Sequence, residues 1–138
     1  MAKTAAQQLQ ANKKPKRVVL DKDFAGIKAG STLFVATPQL VDQYIRSIPP
    51  GEQRSIALMR EELADQWSAD ATCPASSAIF LRIAAQAAID EIEAGKSPLE
   101  VTPFWRLIDS RDKVAKKLTI DPQWIDAQRA REGIVASG

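Results

Sequence analysis

The sequence predicts a mainly α protein with a small β-element near its N-terminus. Three observations point there. Apolar residues recur at three- and four-residue spacing in four stretches between Thr37 and Gly133. β-type runs are short and confined to Val18–Leu20 and Leu33–Ala36. Helix starts are marked by a capping residue close before a proline, at Thr37-Pro38, Thr72-Cys73-Pro74 and Asp121-Pro122.

Residues 1–17 are rich in Ala, Gln and Lys and have no aromatic side chain, and they read as a disordered basic tail. Residues 18–36 hold the two β-type runs, separated by Gly26 and Gly30, and predict a short hairpin or two edge strands. Residues 37–138 read as one helical domain. Its first helix begins at Thr37-Pro38, carries the stripe Leu40, Val41, Tyr44, Ile45 and Ile48, and ends at Pro49-Pro50-Gly51. Ser55 caps a second helix, in which Ile56, Met59, Leu63 and Trp67 recur. The turn Ser-Ala-Asp-Ala-Thr (68–72) leads to a third, spanning 72–94. There Ile79, Phe80, Ile83, Ala84, Ala87 and Ile92 are expected to face inward, with Ser76, Arg82, Gln86, Asp90 and Glu93 outward. Gly95 is its stop. A polar loop and the stretch VTPFWRLID (101–109) follow, and a last helix runs from Asp121-Pro122 through Trp124, Ile125 and Gln128 to Gly133. The second and third helices with their short turn have the outline of a helix-turn-helix.

At 138 residues the chain suits one domain, able to bury about two thirds of its unfolded surface. No apolar run approaches the ~20 residues of a membrane span. The N-terminus has no apolar h-region of a secretory signal, and one cysteine cannot form an internal disulfide. A cytoplasmic protein with no membrane contact is expected. The chain has no histidine. That removes Ser-His-Asp and Cys-His nucleophilic pairs, leaves a zinc site only carboxylates and one thiol, and takes away the usual acid–base group at neutral pH. No cofactor or metal is expected. The net charge of +2 is uneven: Lys3, Lys13, Lys14, Lys16 and Arg17 precede any acid, and Arg111, Lys113, Lys116 and Lys117 form a second basic cluster. Such clusters suit phosphates.

Four segments then fall into a familiar order. SIPPGEQRSIALMREELA (47–64), CPASSAIFLRIAAQA (73–87), VTPFWRLIDSRDK (101–113) and AQRAREGI (127–134) resemble, in register, the DNA-binding domain of the methylated-DNA–protein-cysteine methyltransferases. The resemblance covers roughly residues 37–134. It implies a winged-helix-like helix-turn-helix domain of the alkyltransferase type, with 72–94 as a recognition helix for the minor groove of double-stranded DNA. It also makes the 103–106 turn the wall of a pocket for an extruded base.

The reactive motif departs from the family. The methyl-accepting cysteine falls at Phe104 and its activating histidine at Trp105, while Pro103 and Arg106 are kept. The tyrosine that helps rotate the target nucleotide falls at Ile56, and the arginine that fills the space left by the flipped base at Ala78. Phenylalanine has no nucleophile, so alkyl transfer by the family's route is chemically impossible at position 104. The resemblance is therefore to the non-catalytic alkyltransferase-like members, which bind damaged DNA without repairing it. Pro103, Phe104, Trp105 and Arg106 are the expected pocket-lining residues; either ring can stack on a base or fill the pocket as core, and Arg106 can hold the turn to the domain. Ser55, Ser76, Ser77, Arg82 and Lys113 are the expected DNA contacts. Two alternatives stand beside this one. Cys73, at a helix N-terminus that favours a thiolate, is a candidate alkyl acceptor in a divergent methyltransferase. Asp90, Glu91 and Glu93 suit a module that has lost DNA binding and gained a protein partner.

Overall fold

A computed structural model describes residues 3–11 and 13–134. Residues 1, 2, 12 and 135–138, which belong to the expected tail and to the end of the expected helical domain, lie outside the described residues. In chain order the elements are α1 (Ala5–Leu9), β1 (Lys16–Val19), β2 (Thr32–Val35), α2 (Pro38–Arg46), α3 (Ile56–Gln66), β3 (Ala71–Thr72), α4 (Pro74–Glu93) and α5 (Pro122–Arg131). Short 3-10 turns occupy Pro98–Glu100, Phe104–Arg106 and Lys113–Lys117. The architecture is mainly α with a small three-stranded sheet.

Three of the four caps read from the sequence form as hydrogen bonds; at the start of α4 the N-cap is Cys73 with no side-chain cap, and Thr72 Oγ1 donates instead to Arg60 O. Thr37 Oγ1 accepts from the Leu40 amide at 3.2 Å, Ser55 Oγ from Leu58 at 3.0 Å, and Asp121 Oδ1 from Gln123 at 2.9 Å. Each satisfies one of the amides a helix start leaves orphaned. Pro38, Pro74 and Pro122 each occupy the first turn of a helix, where the missing N–H has no partner to lose.

The strands form the order β1-β2-β3. β1 and β2 pair antiparallel, with Arg17 opposite Phe34. Between them a smaller turn is closed by reciprocal amide bonds of Phe24 and Ile27, at 2.8 and 2.7 Å, and its two central residues, Ala25 and Gly26, both have positive φ. That is the backbone a tight two-residue hairpin needs. β3 pairs parallel with β2 through Leu33–Ala71 and Phe34–Thr72.

Two expectations change here. The segment 1–17 is not wholly a tail: Thr4 and Gln7 form a capping box that starts α1, Leu9 packs against the core, and β1 already begins at Lys16. The link between α3 and α4 is not a bare turn but contains β3. It is held by Asp70, whose amide donates to Thr32 O while its carboxylate accepts from the Thr32 amide, and by Thr72 Oγ1, which donates to Arg60 O at 2.7 Å.

The core gathers Phe34 of β2, Val41 and Ile45 of α2, Met59 and Leu63 of α3, and Leu81, Ala84, Ala85, Ala88 and Ile89 of α4. α2 and α4 pack against one another, and the small side chains Ala84, Ala85 and Ala88 lie in the core between the elements. Phe34 also stacks on Trp67, with ring centroids 5.0 Å apart. No helix among the described residues is long and apolar enough to cross a membrane.

Candidate functional site

The turn expected to wall a pocket is built into the core. Phe104 and Trp105 are 0% and 1% exposed, and Pro103 is buried beside them. Phe104 meets Trp105 edge-on at 5.4 Å, and Trp124 of α5 packs 6.0 Å from each ring. Neither buried ring has a face free to receive a base. The pocket-lining expectation for Pro103, Phe104 and Trp105 is corrected accordingly: their side chains fill the space as packing, as buried aromatic rings do.

Arg106 ties this turn to the rest of the domain. Its Nε and Nη2 reach the two oxygens of Glu132 at 2.9 and 3.0 Å, and its Nη1 donates to Ile48 O at 2.8 Å. Glu132 also accepts from Trp105 Nε1 at 2.8 Å and from the Gly51 amide at 3.2 Å. Arg129 Nη1 adds a bond to Trp105 O at 2.7 Å. Thr102 Oγ1 donates to Asp42 Oδ1 at 2.6 Å, joining the start of the turn to α2. Burial pushes the Glu132 carboxyl up, but its hydrogen bonds and the adjacent guanidinium outweigh that and hold it below the ordinary carboxylate value. Gly51 is required where it sits: its φ is +80°, and an added Cβ would lie 3.2 Å from Glu132 O. The cluster is a latch joining the α2 exit, the 103–106 turn and the end of α5.

The expected DNA contacts separate. Ser77 is buried, and its hydroxyl donates to Cys73 O at 2.7 Å, so it has no hydroxyl to offer a phosphate. Ser76 is half-buried, and its Oγ is a buried atom without a partner. Ser55 is exposed, with its oxygen engaged as the α3 cap. Lys113 is exposed at the start of the last 3-10 turn. Arg82 is exposed on α4, without a hydrogen-bond or ion-pair partner among the described residues. Cys73 is buried at the start of α4, its thiol making no capping hydrogen bond. The inward face expected for α4 is also corrected at one point. Ile79 is 58% exposed, while Leu81, not expected on that face, turns inward beside Phe80.

The fold brings α1 against α4 beside Arg82, an approach no local sequence pattern reports. α1 packs along α4 and leaves a groove of about 640 Å³, lined by Lys3, Gln8 and Lys13 on one side and by Ile79, Arg82 and Gln86 on the other. Lys13 Nζ sits 5.6 Å from the centroid of the Phe80 ring. A second groove, of about 420 Å³ between α3 and the hairpin turn, mixes Arg60 with Glu61, Asp65 and Asp70. No group of three or more metal-ligating side chains that could hold an ion occurs among the described residues. No protein-family model, curated protein or solved structure matches the chain.

Proposed function

We propose that the protein is a non-catalytic binding module for double-stranded DNA. In this reading it is an alkyltransferase-like helix-turn-helix protein whose α4 meets the minor groove and whose β1–β2 hairpin serves as the wing. The observation that carries the proposal is the outer face of α4. Ala75, Ala78, Ile79 and Arg82 are all exposed, and from Pro74 to Ile89 the helix has no acidic side chain and the single cation Arg82. Small residues allow close approach, while an arginine and an apolar side chain are what minor-groove proteins commonly insert. The helix N-terminus adds its partial positive charge at the same end. Lys16 and Arg17, exposed on β1, give the hairpin the sign a phosphate contact needs.

The recognition proposed is of groove and backbone, without capture of an extruded base, since both rings of the 103–106 turn are enclosed. Alkyl transfer to Cys73 would need an open path to a thiol that the fold buries. Incubation with a duplex carrying methylated guanine is therefore expected to leave the intact protein mass unchanged. A second reading, a protein-binding module, is favoured by the other end of α4. Asp90 and Glu93 are exposed there, and Leu99, just beyond, is 88% exposed. A gel shift on a duplex of about 20 base pairs at low salt separates the two. The DNA reading expects a shift that Arg82→Ala weakens. No shift at low salt removes it.

A further inference from the structure

The groove between α1 and α4 gives the N-terminal arm a place in this interface. We infer that it seats one phosphodiester strand of the duplex, with Lys3 and Lys13 on the arm's wall and Arg82 on the wall of α4. The inference rests on the DNA reading and adds to it a third contacting element, beside α4 and the β1–β2 hairpin.

Several observations converge. Every charged side chain lining the groove among the described residues is a cation. Arg82 and Lys3 have no carboxylate partner there, so their charge is not already neutralised. The arm is positioned rather than trailing: the Thr4–Gln7 capping box fixes the start of α1, Leu9 packs on the core, and Lys13 rests over Phe80 of α4 itself. Lys14, Lys16 and Arg17, all exposed, continue the positive charge from the groove to the hairpin. The groove has an acidic boundary. Gln86 spends its amide on Asp90 Oδ1 at 2.9 Å and on Thr119 Oγ1 at 2.6 Å, which places the first carboxylate of α4 just beyond the lining. A polyanion is thus held beside the N-terminal part of α4 and repelled from its C-terminal end. A flat anionic surface would meet only the rim of such a groove, whereas a single strand of phosphates can lie along it.

The test is the salt dependence of duplex binding by the full chain, read by fluorescence anisotropy. Each phosphate contact contributes about 0.9 to the slope of log affinity against log salt. Lys3→Gln with Lys13→Gln should lower the slope by up to about 1.8, and Lys3→Arg with Lys13→Arg should keep it. Lys96→Gln, which removes one charge at the far end of α4, should leave it unchanged. Circular dichroism verifies that each variant is folded. If the Lys3/Lys13 double variant keeps the parent slope while Arg82→Ala binds more weakly, the arm inference fails and the DNA reading stands. A loss in Lys96→Gln of about half that of the double variant, the same per charge removed, also overturns the inference, since net charge alone would then explain the effect. A parent protein that binds no duplex removes both.

Discussion

Replacing Glu132 with glutamine would strip the charge from a carboxylate that Arg106, Trp105 and Gly51 all reach. Arg106, with 12% of its side chain exposed, would be left nearly buried without a counter-ion. Losing one partner of such a pair costs about 3–5 kcal/mol, and denaturant unfolding of Glu132→Gln should show a loss of that order. The sign of the pH dependence follows from the depressed carboxyl. A carboxylate whose folded-state pKa lies below its unfolded value stabilises the fold fully above that unfolded value, 4.5. The contribution disappears as pH falls through the lower, folded value. Asp112, which burial pushes the other way, has the opposite sign, so the difference between parent and Glu132→Gln is the quantity to follow. That difference should shrink below about pH 4.5; a constant gap down to pH 3 would refute the latch. Phe104→Ala tests the filled pocket. Truncating an enclosed phenylalanine costs about 3–5 kcal/mol, whereas a ring lining open space would cost far less.

Among the elements, the helices from Thr37 onward were legible because their signals are local. A capping oxygen, a first-turn proline and a three-to-four apolar spacing lie within a dozen residues of one another, and Thr37, Ser55 and Asp121 do what their types predict. α1 was not legible. Thr4-Ala-Ala-Gln7 has the capping-box pattern, but the five residues after Thr4 carry no apolar periodicity, and the helix owes its place to contact with α4, distant in sequence. β3 is two residues long and has no strand pattern; it exists because β2 offers it a partner. The Arg106–Glu132 pair was half legible. The resemblance gave Arg106 a holding role, but only the fold brings the Glu-Gly end of α5 beneath it. The hairpin turn carries its own test. Ala25 holds a positive φ of 51°, which a non-glycine residue adopts at a cost of about 1–2 kcal/mol. Ala25→Gly should therefore raise the denaturant midpoint. A lower midpoint would mean that the alanine side chain contributes more than its backbone costs.

For the molecule as a whole, the candidate site moved between sequence and structure. The sequence put the weight on the 103–106 turn, because two adjacent aromatic residues between a proline and an arginine are a local anomaly and the resemblance implied a reactive pair there. Burial decides whether such rings bind or merely pack, and burial depends on α5 and Glu132, well outside that stretch. The cationic groove joins residues 3 and 13 to residue 82, and no local pattern reports that approach. Net charge near neutrality concealed it, since the carboxylates of α4 gather at its other end. The most direct measurement of the central claim is the affinity of the full chain for a labelled duplex across 50–200 mM salt. The account predicts binding that weakens steeply over that range, as several released counterions require, and that is weaker at every salt concentration for Arg82→Ala. Binding that is absent at 50 mM, or present but indifferent to salt, would contradict it.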